Sequence, residues 1–181
     1  MTNQAIQESG MTFGPFPEGY CFYIEKSDLY RRIQNHVQMA EFLLLKNSRK
    51  GVPVLWVVEA KSSSPRPETK PNFDEFVAEI RDKLINAFSL TLAACLGRHG
   101  IVEESIPTRF REVDWCGQEV KLVLVINGHR DEWLQPLKDA IEMSLKTSIK
   151  TWSFGPTSVA VINDKGAKKF GLILDNTGDE T

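Results

Sequence analysis

The length and charge of this chain exclude several classes of protein. A chain of 181 residues is long enough to bury one hydrophobic core without disulfides or structural metals. Its 22 Lys and Arg residues against 24 Asp and Glu residues give a formal net charge of -2, which excludes a global basic field for nucleic acid. Any contact with nucleic acid therefore has to use a local patch.

The cysteines and the apolar runs indicate a compartment. The three cysteines are odd in number, far apart and without CxxC spacing, which favours neither a zinc site nor a disulfide framework. The first residues lack the basic and then apolar order of a signal peptide, and no apolar run approaches the roughly 20 residues that cross a bilayer. We expect a cytoplasmic protein with no membrane partner.

The first residues of the chain show no pattern of a helix or strand. Residues 1–19 are polar and then rich in Gly and Pro, which predicts a flexible N-terminal arm. The aromatic and β-branched run Tyr20–Ile24 predicts a first strand, and Ser27 is placed to cap a short helix. At the other end, residues 176–181 are expected to form a frayed tail.

The next segments predict a hairpin followed by a long helix. Two apolar runs, Met39–Lys46 and Pro53–Lys61, are joined by the polar, Gly-containing loop Asn47–Val52. Residues 62–72 carry three prolines and are expected to form an exposed connection. Apolar residues then recur at helical spacing over Phe73–Arg98, which predicts a helix that covers one face of the sheet.

The second half predicts an alternation of strands and helices. Val120–Ile126 is almost continuously apolar, as expected for a strand buried on both faces, and Trp133–Ile149 is an amphipathic helix. Val159–Ile162 and Phe170–Leu174 are predicted as short final strands. The predicted fold is a single α/β domain over residues 20–175, with a mixed central sheet flanked by helices.

The predicted hairpin brings two carboxylates and a lysine together. Glu59 and Lys61 share one face of their strand, and Glu41 stands opposite Glu59 if the hairpin turns symmetrically about Lys50. Opposed side chains have Cβ atoms about 4.5–5.5 Å apart, and like charges there are destabilising. A divalent cation such as Mg²⁺ resolves that repulsion. A slip of one residue would move Glu41 to the other face.

The two predicted strands and the helix after them resemble the PD-(D/E)xK nuclease superfamily, also called restriction-endonuclease-like. The matching segments are AEFLLLK at Ala40–Lys46 and VLWVVEAKSSSP at Val54–Pro65, followed by the helix from Phe73. The resemblance covers residues 20–100 by motif order and the rest by compatible topology. It extends more loosely to small bacterial members of the superfamily that are associated with mobile elements and phage defence.

The resemblance implies a metal-dependent nuclease. In that superfamily an acidic residue in one strand and the (D/E)xK motif at the end of the next bind one or two Mg²⁺ ions, and the lysine helps to position the attacking water. By this resemblance Glu41 and Glu59 are metal ligands, and the Ala60 carbonyl is a further ligand. Lys61 is then the catalytic base or transition-state stabiliser. The expected cofactor is Mg²⁺ with Mn²⁺ as a substitute, and the expected partner is nucleic acid, DNA before RNA. Cutting a duplex implies a homodimer or a partner protein.

Two positions depart from the superfamily's pattern. The first acidic residue is usually Asp, and here it is Glu41, whose extra methylene moves the carboxylate oxygens outward. Many members add a glutamate from the first helix. Glu25 and Asp28 are the nearest candidates, and the sequence leaves the choice between them open.

Two alternatives stay open on the sequence alone. Glu59 and Lys61 could form an exposed salt bridge at a strand end, worth about 0–1 kcal/mol. The chain could also be a non-catalytic domain of the same fold that acts as an interaction or nucleic-acid-binding subunit.

Overall fold

The protein is a mixed α/β domain. Its structure is a computed structural model that describes residues 5–48, 51–100 and 106–173. The strands are β1 (Ile6–Glu8), β2 (Met11–Phe13), β3 (Cys21–Phe22), β4 (Phe42–Asn47), β5 (Pro53–Lys61), β6 (Val120–Ile126) and β7 (Val159–Asn163). The helices are α1 (Asp28–Arg31), α2 (Asn72–Cys95), α3 (Thr108–Arg111), α4 (Asp131–Thr151) and α5 (Asp164–Lys169), with a single 3₁₀ turn at Ile24–Lys26. None of these helices is both long and apolar enough to cross a membrane.

Five of the strands form one mixed sheet in the order β3-β4-β5-β6-β7, and β1 and β2 form a separate two-stranded sheet. The first three strands of the large sheet are antiparallel, whereas β5, β6 and β7 are parallel. Parallel neighbours need a crossover, and α2 and α4 lie in the two crossover connections. The predicted single domain with a mixed sheet is confirmed, and β5 and β6 begin and end where the sequence predicts.

Each face of the large sheet has its own hydrophobic core. Leu55 and Val57 pack into the cluster that contains the apolar stripes of α2 and α4, and we call this side the helical face. Trp56 and Val58 pack into a second cluster with the N-terminal strands and α5. Side chains alternate along a strand, so every odd-numbered residue of β5 points to the helical face.

The predicted hairpin register is confirmed. Phe42 pairs with Val58 and Asn47 with Pro53, so the two strands mirror each other about position 50, which itself lies outside the described residues. This register places Glu41, just before β4, opposite Glu59. The backbone N–H of Glu41 still donates to the Val58 carbonyl at 3.0 Å.

The N-terminal segment differs from the prediction. Residues 1–19 were expected to form a flexible arm, but β1 and β2 form an antiparallel hairpin within it. Phe13 is fully buried and Ile6 nearly so, because both pack on the second face of the sheet. Residues 1–4 lie outside the described part of the chain.

The C-terminal segment also differs from the prediction. The strand expected at Phe170–Leu174 is absent from the described residues 170–173, which follow the unpredicted helix α5. Leu172 and Ile173 are buried, and Ile173 forms isolated bridges with Phe13 and Gly14 instead of a strand. Leu174 and the tail at 176–181 lie outside the described residues.

Candidate metal and catalytic site

Glu59 and Lys61 lie at the C-terminal end of β5 and point to the helical face. This strand end is buried because β4 and β6 flank it and α2 covers it. Glu59 is fully buried, and the Lys61 side chain is 24% exposed. The alternative of an exposed salt bridge at a strand end is therefore wrong for Glu59.

Helix α2 completes a charged network around these two residues. Lys61 Nζ lies 2.7 Å from Glu79 Oε1 and 3.4 Å from Glu59 Oε1. Lys83, one turn after Glu79, brings its Nζ to 2.8 Å from the same Glu59 oxygen. Burial raises the pKa of the Glu59 carboxyl, and the two lysines oppose that rise.

Sequence reasoning missed both α2 residues. Their signal was present, because Glu79 and Lys83 precede the buried residues Ile80 and Leu84 by one position each. They therefore lie at the border of the helix face that packs on the sheet. A charged pair four residues apart on that border is placed to reach the strand beneath it.

A second carboxylate cluster adjoins this network. Glu41 is 5% exposed, and one carboxylate oxygen each from Glu8, Glu25 and Glu41 lie within 4.8 Å of one another. Burial raises the pKa of the Glu41 carboxyl to about 8, and the charge of Glu59 adds to that rise. The charges of Glu25 and Glu8 act in the same direction.

The structure separates the two candidates for a third acidic residue. Glu25 lies in the 3₁₀ turn, and its backbone N–H donates to the Glu41 carbonyl at 3.3 Å, which brings it into the cluster. On its exposed side it pairs with Lys26 at 3.0 Å. Asp28 instead pairs with Arg31 at 2.7 Å on the surface. Glu25 is therefore the glutamate that the fold brings to the site.

Glu8 is a cluster member that the sequence analysis did not foresee. It ends β1, and its Oε1 accepts a hydrogen bond from the Tyr23 hydroxyl. It was missed because the segment around it was predicted as a loose arm.

The Ala60 carbonyl, predicted as a further metal ligand, contacts the N-terminal hairpin. The hydroxyl of Ser9 donates to this oxygen at 3.1 Å. The metal role of Ala60 stays a prediction.

Two buried oxygen atoms, one in this cluster and one in the adjoining charged network, test the fit of a cation to the site. Glu41 Oε2 and Glu59 Oε2 are both buried and have no hydrogen-bond partner within the described part of the chain. A buried carboxylate oxygen without a partner is costly, so it calls for a counter-charge or a proton. Hard divalent cations such as Mg²⁺ take carboxylate oxygens as ligands, so the donor set fits such an ion.

A cleft of about 600 Å³ opens beside the charged residues. Glu25 and Lys83 line it, together with Gln34, Gln38 and Asn86. The cleft therefore gives solvent and small molecules a route to the charged cluster.

A basic and aromatic patch lies beyond the C-terminal ends of β5 and β6. Trp133 is 40% exposed, and the guanidinium carbons of Arg130 and Arg66 lie 4.9 Å and 5.7 Å from its ring centroid. Ser64 and His129 meet in the same region, with Oγ 3.5 Å from Nε2. The patch is on the edge of the sheet at which Lys61 emerges.

Comparisons of this chain with protein-family models, with curated proteins and with solved structures found no match. The functional argument therefore depends on the geometry of the residues described above.

Proposed function

We propose that this protein hydrolyses phosphodiester bonds of nucleic acid, DNA in the first place, with the help of a divalent cation. The observation that carries the proposal is the position of Glu41, just before β4, opposite Glu59 of β5. Each has a buried oxygen without a partner within the described residues, and the Lys61 ammonium lies 3.4 Å from Glu59. The resemblance to PD-(D/E)xK nucleases implies the same chemistry for these three residues.

Glu25, Glu41 and Glu59 would hold the cation, for which Mg²⁺ is the proposed species. When bound, it supplies a water of lowered pKa and positive charge for the scissile phosphate. The three carboxylates come from the 3₁₀ turn, the approach to β4 and the end of β5. Main-chain bonds between these segments hold them at fixed separation, as a catalytic site requires.

Lys61 would orient the attacking water and stabilise the charge that develops on the phosphate. Its side chain is held from both sides, at 2.7 Å by Glu79 and at 3.4 Å by Glu59. Such support locks a long, flexible side chain in one position before the substrate arrives. Glu79 thus acts as a positioning residue for the Lys61 ammonium.

The patch around Trp133 supports nucleic acid as the substrate. Guanidinium groups bind phosphate, and the Trp133 ring holds two of them, those of Arg66 and Arg130, at one place on the surface. Arg66 makes no ion pair with any residue of the described ranges, so its charge is available. A local patch of this kind is what a chain with a net charge of -2 needs to bind a polyanion.

The test is a cleavage time course on duplex DNA, supercoiled plasmid, single-stranded DNA and RNA, each with Mg²⁺ or Mn²⁺. Wild type is compared with Lys61→Ala, Glu59→Gln and the surface control Lys138→Ala. We expect cleavage by wild type and the control, and none by the two site variants. Cleavage that persists equally in all four proteins would contradict the proposed site.

One observation favours a second candidate function, a non-catalytic binding domain. The Lys83 ammonium lies 2.8 Å from Glu59 and already supplies positive charge to this carboxylate. In that case wild type cleaves none of the substrates but still binds nucleic acid or a protein, and Arg66→Ala weakens binding to nucleic acid. The four proteins of the cleavage test, together with Arg66→Ala, thus separate the two candidates.

A further inference from the structure

The last residue of β1 and the turn that follows it, residues 8–10, contact the charged site, and we call this segment the hairpin tip. We propose that Glu8 is a further ligand of the cation held by Glu25 and Glu41, so that the cation fastens the hairpin tip to the sheet. This inference rests on the proposed cation but not on the cleavage reaction. It gives a binding role to a segment that lies outside the residues matched to the nuclease motif.

The spacing of the three carboxylates suits one ion. Oxygens bound to the same Mg²⁺, Mn²⁺ or Ca²⁺ at about 2.0–2.6 Å are separated by about 3–5 Å, depending on the angle between them. The ligand oxygens of Glu8, Glu25 and Glu41 lie within 4.8 Å of one another. This separation falls within the range that one ion allows.

An independent observation concerns Glu41, the most buried carboxylate of the cluster. Glu41 is 5% exposed, and its Oε2 accepts no hydrogen bond from the described residues. A buried carboxylate of this kind is stabilised by a cation and destabilised by two neighbouring carboxylates. The two lysines of the site contact Glu59 and Glu79, and Lys26 contacts Glu25 from the surface.

Separate hydrogen bonds fix the hairpin tip in this place. The Ser9 hydroxyl donates to the Ala60 carbonyl at 3.1 Å, and Asn127 Nδ2 donates to the Ser9 carbonyl at 3.2 Å. Gly10 has a φ of +75°, and a Cβ there would lie 2.9 Å from Asn127 Nδ2, so the turn needs a glycine to come this close. The Tyr23 hydroxyl orients Glu8 itself.

These contacts give Glu8 a direction that packing does not explain. Ile6 lies two residues before Glu8 on the same side of β1 and is buried in the second core. The Glu8 side chain lies on the same side of β1 as Ile6, but beyond that core and close to Glu41. A half-buried carboxylate beside a buried carboxyl is unfavourable when both are ionised, and a cation between them removes that cost.

The experiment measures Mn²⁺ binding by calorimetry and the hydrogen exchange of residues 6–13 with and without Mn²⁺. Wild type is compared with Glu8→Gln, with Ser9→Ala and with the exposed control Glu68→Gln. We expect Glu8→Gln to weaken Mn²⁺ binding about tenfold or more and to remove the protection that Mn²⁺ gives to the hairpin. Ser9→Ala keeps the Glu8 ligand and should bind Mn²⁺ more tightly than Glu8→Gln does. Glu68→Gln should bind Mn²⁺ with the affinity of wild type. Circular dichroism and cooperative urea unfolding confirm that each variant is folded.

The outcomes separate this inference from the proposed function. Glu8→Gln that binds Mn²⁺ with wild-type affinity and wild-type hairpin protection would overturn the inference and leave the nuclease proposal standing. If Glu8→Gln binds Mn²⁺ more weakly and wild type cleaves no substrate, the inference is supported and the nuclease proposal is overturned. A wild-type protein that binds no Mn²⁺ overturns both.

Discussion

The buried carboxyl of Glu41 should make the stability of the metal-free protein depend on pH. Burial is the largest cause of its raised pKa, which lies at about 8 against a reference value of 4.5. The folded state therefore holds a proton on Glu41 that the unfolded chain releases between these two pH values. Stability from this group is fully present below pH 4.5 and is lost as the pH rises through 8.

The size of this loss follows from the shift. A span from 4.5 to about 8 is 3.5 pH units, and each unit corresponds to about 1.4 kcal/mol, so the loss is at most about 5 kcal/mol. Glu41→Gln keeps the shape of the protonated carboxyl and does not titrate. It should be as stable as wild type near pH 4.5 and more stable by several kcal/mol at pH 8.

Urea unfolding with a chelator present, at pH 5, 7 and 9, measures this difference. The difference in unfolding free energy between Glu41→Gln and wild type should grow from pH 5 to pH 7 and reach its full value by pH 9. Glu142→Gln on the surface of α4 is the control and should show no such trend. A Glu41→Gln difference that stays constant across the three pH values would refute the assignment of the buried proton to Glu41.

Three further predictions concern stability and thiol chemistry. Lys83→Met removes the ammonium nearest the fully buried Glu59 and should lower the free energy of unfolding in urea by about 3 kcal/mol. Lys83→Arg should recover part of this loss, and a loss below about 1 kcal/mol in Lys83→Met would contradict the buried pair. Leu84→Ala at a fully buried position of α2 should cost about 2–5 kcal/mol in the same assay, and an unchanged midpoint would contradict the packing of α2. Cys116 is exposed and should react first with a thiol reagent, whereas burial raises the pKa of Cys95 to about 11 and should delay its reaction until the protein unfolds. Equal rates for the two thiols in the native protein would contradict that difference.

The parts of the fold that could be predicted are those that neighbouring residues determine. β5 and β6 are apolar runs with clear ends, and a short polar loop fixes the register of β4 against β5. The alternation of side chains then places Glu41 and Glu59 on one face without knowledge of the rest of the fold. Two of the residues proposed for the cation follow from this local reasoning.

The parts that could not be predicted depend on contacts between distant segments. β1 and β2 have three residues each, too few for a clear period, and they are stable because they pack on the sheet. The positions of Glu8 and Glu79 follow from that packing and from the docking of α2. α5 was missed because its six residues, DKGAKK, contain one buried side chain and no apolar stripe.

The charges of the assembled site are consistent with the proposed divalent cation. The carboxylates are Glu8, Glu25, Glu41, Glu59 and Glu79, and the ammonium groups that contact them belong to Lys26, Lys61 and Lys83. Five carboxylates and three ammonium groups leave two negative charges when all are ionised, which one divalent cation neutralises. With a pKa of about 8, Glu41 carries a proton at neutral pH in the metal-free protein. A cation that binds there has to displace this proton, so its affinity rises with pH while the stability of the metal-free protein falls. In a cation-bound fold these two effects would offset each other, because above pH 4.5 Glu41 would be ionised both in that fold and in the unfolded chain.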